Sequence, residues 1–424
     1  MEKILRIIVL LLMSILMVTF ILVLLGVIPI PTIGTISSPA QEASTLVTTL
    51  TPVLTPMPIP TATVEPIRIG VAIALSGENY QTGKEQEEGA EIAKQYFNSR
   101  GGVNGRDIQL DIQNAEDSVD GARKKFNYLI SKDEIVAIIG PTYSTQAFEV
   151  NPISQEASIP VIAPSNTAQG IPQIGDHIFR VSASVSEQAK YAVTAASGQG
   201  DNIEKVATIY DADDEFSKSE HEAFMDAIDE FGYTLVISRT FKTGDKNFLS
   251  QINEILDSQP DLVIVSGLTS EGGRVVEQLR EAGYEGVLIG GDSLNTPKII
   301  NICKEKCDGM IMPQIYNYES ETLENQKFVE AYQARNDGKN PPQYAALMFT
   351  AVQVIVEALR EEDRISSIQG VELPKLREKL KERLQSEMKF QTPLGEIYFD
   401  SEGEVNPGAL RASQIIDGEI QIIK

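Results

Sequence analysis

The stretch Ile135–Asn166, IVAIIGPTYSTQAFEVNPISQEASIPVIAPSN, decides how this chain folds. Ile135 to Ile139 is an unbroken apolar run, short enough for a buried strand. Gly140-Pro141 stops it, a pair that can neither extend a sheet interior nor sit inside a helix, since proline lacks an amide hydrogen and glycine favours a turn. Thr142, Ser144 and Thr145 then stand where a helix N-cap is wanted, ahead of Ala147, Val150, Ile153 and Ala157 at helical spacing. A second strand, Ile159 to Ala163, also runs into a proline and small polar residues, Pro164-Ser165-Asn166-Thr167. Two strand ends thus offer hydroxyls and free amides side by side. In a parallel sheet the carboxyl ends of strands are where small ligands bind, and helix N-termini there favour an anion.

On either side of this stretch the same alternation continues. Ile67 to Leu75 reads as a strand, followed by a helix with Ala90, Ala93, Tyr96 and Phe97 on its apolar face, ending at Gly101-Gly102. Ile108, Leu110 and Ile112 mark a half-exposed strand, and Ala122, Phe126 and Leu129 the helix after it. Beyond the opening stretch, Val206–Tyr210, Thr234–Phe241, Leu262–Ser266 and Val287–Ile289 read as strands, with helices beginning near Ser217, Asp245, Ser270 and Asn295. Repeated strand-helix alternation implies an α/β fold with parallel sheets covered on both faces. After about Met312 the pattern turns helix-rich: Leu323–Arg335, Gln343–Arg360 and Leu373–Ser386, then a strand-turn pattern over Glu396–Asp400 with Gly403, and a final strand near Ile415–Ile423.

The chain has 424 residues, enough for two or three units of ordinary size, and 42% of them are apolar. Lys and Arg total 36 against 60 Asp and Glu, a formal charge of -24. Nothing supplies the basic face that nucleic acid requires, so nucleic acid is excluded as a partner; the acidity fits an exported, soluble domain. The two cysteines, Cys303 and Cys307, are one helical turn apart with no histidine nearby to complete a metal site. Sequence alone leaves a local disulfide and two unpaired thiols equally open.

The amino-terminal segment is membrane-directed. Lys3 and Arg6 precede Ile7 to Ile28, 22 residues without a charge, which as a helix would span roughly 33 Å at about 1.5 Å per residue. No small-x-small cleavage site follows closely and no cysteine is placed for acylation, so residues 1–28 are expected to be an uncleaved signal anchor with its amino terminus cytoplasmic, a cleaved signal peptide being the alternative. Residues 29–66 carry eight prolines and nine threonines, with only Glu42 and Glu65 charged. Such a composition buries no core and reads as an extended linker, a stalk between membrane and folded domain.

From Ile67 to about Lys424 the sequence resembles the type I periplasmic solute-binding proteins of the branched-chain amino acid (Leu/Ile/Val) class, which serve ABC importers. The resemblance is carried by IRIGVAIALSG at 67–77, NSRGGVNGR at 98–106, IIGPTYST at 138–145, IPVIAPSNT at 159–167, IYDADDEF at 209–216 and TPLGEIYFDSEGE at 392–404, by their order and spacing together. It implies a periplasmic binding protein type I fold: two doubly wound parallel-sheet lobes joined by three crossovers, closing on a ligand between them. Lobe 1 would be residues 67–183 and 314–408, and lobe 2 residues 184–313 and 409–424. The implied partners are a small-molecule ligand, an amino acid or a related solute, and ABC permease subunits. The membrane would be engaged through the N-terminal helix.

In that family hydroxyls and amides at two strand-to-helix turns of the first lobe hold the ligand's α-carboxylate, and Ser144, Thr145, Ser165 and Thr167 match those positions. The physical reading agrees, because an anion desolvated in a cleft needs several converging donors. Plain helix capping would use the same residue types, and for Thr145 and Thr167 it is an equal alternative. An opposing carboxylate on the second lobe would meet an α-ammonium, and Asp292 in LIGGDSLN matches it, with capping of the next helix as the other use. Phe216, an apolar face without a phenol hydroxyl, is carried over as a ligand contact. Thr82, Phe216 and Leu268 stand where relatives often carry aromatic cleft residues, so the ligand's side chain is left unread; Tyr80 and Tyr143 lie near the binding turns.

Other patterns carry no chemistry. GENYQTGK at 77–84 has one residue too many between its glycines for a phosphate loop, and Glu85 stands where Ser or Thr should bind magnesium. Asp211, Asp213, Asp214 and Glu215 lack the glycine and terminal glutamate of a calcium loop. His177 and His221 sit in no triad context, and no G-x-S-x-G elbow occurs, so neither an enzyme nor a cofactor is expected. The alternative to transport is a sensing ectodomain that signals through a partner membrane protein.

Overall fold

The computed structural model describes residues 65–199, 202–406, 408 and 410–423. The expected anchor, and all of the expected stalk but its last two residues, lie outside them. No helix among the described residues is long and apolar enough to cross a membrane.

In the first half the elements are β1 (Ile67–Ile73), α1 (Gln81–Asn98), β2 (Ile108–Asn114), α2 (Val119–Ile130), β3 (Ile135–Ile139), α3 (Ser144–Glu156), β4 (Val161–Ala163) and β5 (Ile178–Arg180). Next come α4 (Val185–Ser197), β6 (Lys205–Asp211), α5 (Glu215–Glu230), β7 (Thr234–Phe241), α6 (Leu249–Asp257), β8 (Leu262–Ser266), α7 (Thr269–Glu281), β9 (Val287–Gly290), α8 (Lys298–Cys303) and β10 (Ile311–Gln314). The chain then runs through α9 (Leu323–Arg335), α10 (Gln343–Ile365), α11 (Leu373–Leu384), β11 (Phe390–Thr392), β12 (Gly395–Phe399), β13 (Val405–Asn406), β14 (Arg411–Ile416) and β15 (Glu419–Ile423).

Two sheets organise these elements. The first, all parallel, has the order β2-β1-β3-β4-β5. In the second, β6 to β10 are parallel, and antiparallel β14 and β15 extend the β10 side in the order β15-β14-β10-β9-β8-β6-β7. A small antiparallel sheet, β11-β12-β13, packs through Phe399 on Phe179 beside the first. The chain passes between the two large sheets three times: after β5, after β10 and between β13 and β14. Helices α9 to α11 return to the first sheet, where Phe328, Leu347, Val352, Ile355 and Leu380 join Ile69, Val71 and Ile139 in one core. Each such side chain contributes about 1.5–3 kcal/mol by leaving water.

Every residue of β3 is buried, as its apolar run requires. Gly140 ends it at φ +130°, and a Cβ there would lie 2.2 Å from the Ala72 carbonyl oxygen, so no other residue fits this turn. The hydroxyls after it do not cap α3 as expected. Tyr143, in extended conformation, occupies the cap position, and its amide donates to Gln146 Oε1 at 3.3 Å. Thr142 Oγ1 instead accepts the Ala74 amide at 2.9 Å and so ties β3 to the turn after β1.

Other expectations shift as well. The final strand is a hairpin, because Asp417 (φ 52°) and Gly418 (φ 74°) form a turn with both central residues left-handed. An Asp-Gly pair between alternating residues is a hairpin signal in its own right. The second sheet is therefore mixed where all-parallel sheets were expected. The short strands β5 and β10 carry no period-2 alternation and were not foreseen. A disulfide joins Cys303 and Cys307, with Cα atoms 5.4 Å apart, resolving the two readings of that pair.

Candidate ligand-binding cleft

In open α/β sheets ligands bind where the strand order reverses, outside the carboxyl ends of the strands. The first sheet reverses between β1 and β3, the second between β6 and β8. Both reversals face one cavity. Thr82, Thr142, Tyr143, Ser144 and Ser165 form its first-sheet wall; Phe216, Leu268, Thr269, Asp292 and Ser293 form its second-sheet wall; Tyr344 of α10 closes it. The walls stand close together. The cavity between them is small, about 20 Å³. A solute of amino-acid size therefore enters only as the walls part.

Contacts across the cleft hold this closed arrangement. Asn79 Oδ1 accepts the Ser270 amide at 2.9 Å, satisfying a first-turn donor of α7 from the opposite wall. Lys298 Nζ donates to the Glu78 carbonyl oxygen at 2.5 Å, and the Gln169 amide to Ser219 Oγ at 2.9 Å. Thr296 Oγ1 donates at 2.7 Å to Glu85, a fully buried carboxyl that burial pushes up to about 8.

The expected site residues separate into two groups. Ser144, Ser165, Phe216 and Asp292 come together in the cavity wall. Ser165 is also a structural stitch: its hydroxyl accepts from Gln86 Nε2 and donates to the Thr142 carbonyl, each at 2.7 Å. Thr145 points elsewhere. Its hydroxyl donates to Asp214 Oδ1 at 2.5 Å and accepts the Glu215 amide at 2.9 Å, bridging the first-sheet turn to the start of α5. Thr167 is buried and outside the cavity lining, lying beside the Asp292 carboxyl. Thr82, Leu268 and Tyr143 line the cavity, whereas Tyr80 is 41% exposed at the rim.

Asp292 is held from several sides. Its Oδ2 accepts from Gln188 Nε2 at 3.1 Å, its amide donates to Glu220 Oε1 at 2.8 Å, and its carbonyl oxygen accepts from Tyr344 Oη at 3.1 Å. Burial raises its pKa to about 6, while Gln188 and Thr167 hold it down. No cation pairs with it among the described residues. The first wall is uncharged: the helix-start amides of α3 and the hydroxyls around them. Together these walls can hold a solute with an anionic and a cationic end.

Tyr344, Gln188 and Glu220 escape sequence reasoning. Tyr344 lies in a helix far along the chain, and Gln188 and Glu220 look like ordinary helix-surface polar residues until the fold buries them. A larger groove, about 580 Å³, runs past Gln169, Arg180, Glu187 and Glu404 on the outside. Its buried guanidinium, Arg180, is already engaged by Glu404 and by the Asn166 and Ala168 carbonyls, so the groove has no free cation for an anionic ligand.

Comparison with known proteins agrees with this architecture. The sequence profile of the periplasmic binding proteins matches residues 66–419. The chain belongs to the periplasmic binding protein family. Among curated members of this binding-protein family, which is not one of enzymes, the Leu/Ile/Val-binding protein of Escherichia coli K12 is 25% identical over 313 residues, 71% of this chain and 81% of that protein. A leucine binding protein of Thermotoga maritima superposes with a TM-score of 0.76 at 23% identity, covering 84% of this chain and 98% of its own. A branched-chain amino acid transporter substrate binding protein of Streptococcus pneumoniae, in complex with isoleucine, gives 0.74 at 21% identity over 85% and 100%.

Proposed function

We propose that this periplasmic binding protein captures an amino acid, or a similar small zwitterionic solute, in its interlobe cleft and delivers it to the permease subunits of an ABC importer. The observation that carries this reading is the pairing of an uncharged, donor-rich wall at one sheet reversal with the buried carboxyl of Asp292 at the other. Ser144 and the α3 amides receive the carboxylate, joined by Ser165 once its hydroxyl hydrogen turns from the Thr142 carbonyl, while Asp292 receives the ammonium and Phe216 with Leu268 an apolar side chain. Thr145 and Thr167 support these contacts from behind. Affinity comes from closure, which excludes water around a head-group site already arranged. The relatives named for leucine, isoleucine and valine support the same class of ligand.

The lobe division 67–183 with 314–408 and 184–313 with 409–424 belongs to this proposal. So does an N-terminal membrane anchor with a Pro/Thr-rich stalk that holds the lobes on the extracytoplasmic face; membrane fractionation of the intact chain against one lacking residues 1–28 tests it. For the ligand, the test is thermal shift and calorimetry of the full chain against L-leucine, L-isoleucine, their des-amino acids, short amides and urea. A ligand that binds only the folded state raises its melting temperature. Amino acids are expected to do so and the des-amino acids are not; equal stabilisation by both sinks the role given to Asp292.

A further inference from the structure

Beneath Asp292 lies a second acid that the ligand reading does not use. Glu220, on the first turns of α5, is 2% exposed. Its Oε1 accepts the Asp292 amide at 2.8 Å, and its Oε2 has no hydrogen-bond partner. The fit against the backbone is close: a Cβ on Gly291 would lie 1.9 Å from Oε2. Glycine at 291 is thus what lets this carboxyl reach under the strand end.

The groups facing the pair are acidic or neutral. Asp214 lies at the start of α5, Tyr344 comes from α10, Gln188 from α4, Ser266 from the end of β8 and Thr167 from the turn after β4. His221, next along α5, stacks instead on Tyr210 at 4.0 Å. Two carboxyls buried at one turn, the first accepting the backbone amide of the residue that carries the second, are costly to ionise together without a counter-charge. Burial and the neighbouring Asp292 both raise the Glu220 pKa, in keeping with this.

We propose that Glu220 is a positioning residue that fixes the Gly291–Asp292 turn through its Oε1 and, by keeping one proton, limits the cleft floor to a single negative charge suited to one ammonium group. The ammonium itself rests on the reading of Asp292 given above; the proton on Glu220 does not. Glu220 need not touch the ligand. Its carboxyl holds the backbone from which Asp292 projects, and in its neutral form it adds no second charge to that floor.

Infrared spectra of the full-length chain at pH 7 decide the charge state without any ligand. The wild type is expected to show a protonated-carboxyl band that Glu220→Gln removes, while Glu85→Gln, as a control, removes a separate contribution. An unchanged band in Glu220→Gln overturns the proposal. Calorimetry with L-leucine as probe tests the positioning. Glu220→Ala is expected to weaken binding about tenfold or more, and Glu220→Gln, which keeps an acceptor under the Asp292 amide, to recover most of that loss. Equal losses in the two variants, with intact thermal unfolding, overturn the positioning role. If the wild type binds no amino acid while the band behaves as expected, the ligand reading fails and the protonated Glu220 stands.

Discussion

The two strand ends that meet in the cleft solve opposite problems by opposite means. After β3, the wall is built from helix-start amides and the hydroxyls of Ser144 and Ser165, all neutral, that of Ser165 already tied to Gln86 and Thr142. After β9, it is one carboxyl, Asp292, buried on a second acid and oriented by Gln188 and Tyr344. Dispersed neutral donors can hold an anion without a counter-charge, and losing one leaves the others. A buried charge has no such redundancy, because its desolvation cost is offset only when a partner of opposite sign arrives. The cationic end of the ligand should therefore be the more fragile contact.

The largest expected effect is at Asp292. Asp292→Ala should weaken amino acid binding by about a hundredfold or more, since removing one partner of a buried charge pair costs about 3–5 kcal/mol; undiminished affinity by calorimetry would refute the assignment. Ser144→Ala should cost less, roughly tenfold, in line with about 1.5 kcal/mol for a single hydrogen bond to a charged group. A loss at Ser144 as large as that at Asp292 would break the contrast between redundant and solitary walls.

pH sharpens the same contrast. Burial raises Asp292 to about 6 from 3.8, so folding favours its protonated form. Its contribution to stability is complete below about pH 4 and is lost as pH rises through about 6. Asp292→Asn should then melt a few degrees above the wild type at pH 7.5 and level with it at pH 4, while wild-type amino acid affinity rises over that interval as the carboxylate forms. A melting difference independent of pH would show that the carboxyl is not the strained group. Thr145→Ala should do least, changing affinity within about threefold, because its hydroxyl binds Asp214 and the Glu215 amide; its effect, if any, should appear in the stability of the closed form.

Local sequence carried far into this fold because its signals are physical and short-range. The apolar run of β3, the stop at Gly140-Pro141 and the alternation of strands with amphipathic helices all follow from burial and backbone sterics that neighbours enforce. They give the α/β class, the placement of Ser144, Ser165, Phe216 and Asp292 at strand ends, and the bounds of Thr234–Phe241 and Leu262–Ser266. Where signals were present but read otherwise, as at Asp417-Gly418, the turn still obeyed backbone chemistry.

What only the tertiary structure decided depends on residues far apart in the chain. Whether a hydroxyl faces solute or stitches two turns is set by what packs opposite it, so Thr145 and Thr167 could not be told from Ser144 by spacing. Tyr344 enters the cleft because α10 returns to the first sheet, more than fifty residues after Asp292. Glu220 becomes a buried acid only because β9 ends above α5, where Gly291 leaves room for it. Sequence thus determined the two strand ends and the chemistry each could offer. The fold brought them face to face, and the low dielectric between them makes the charge on Asp292 costly until a cation pairs with it.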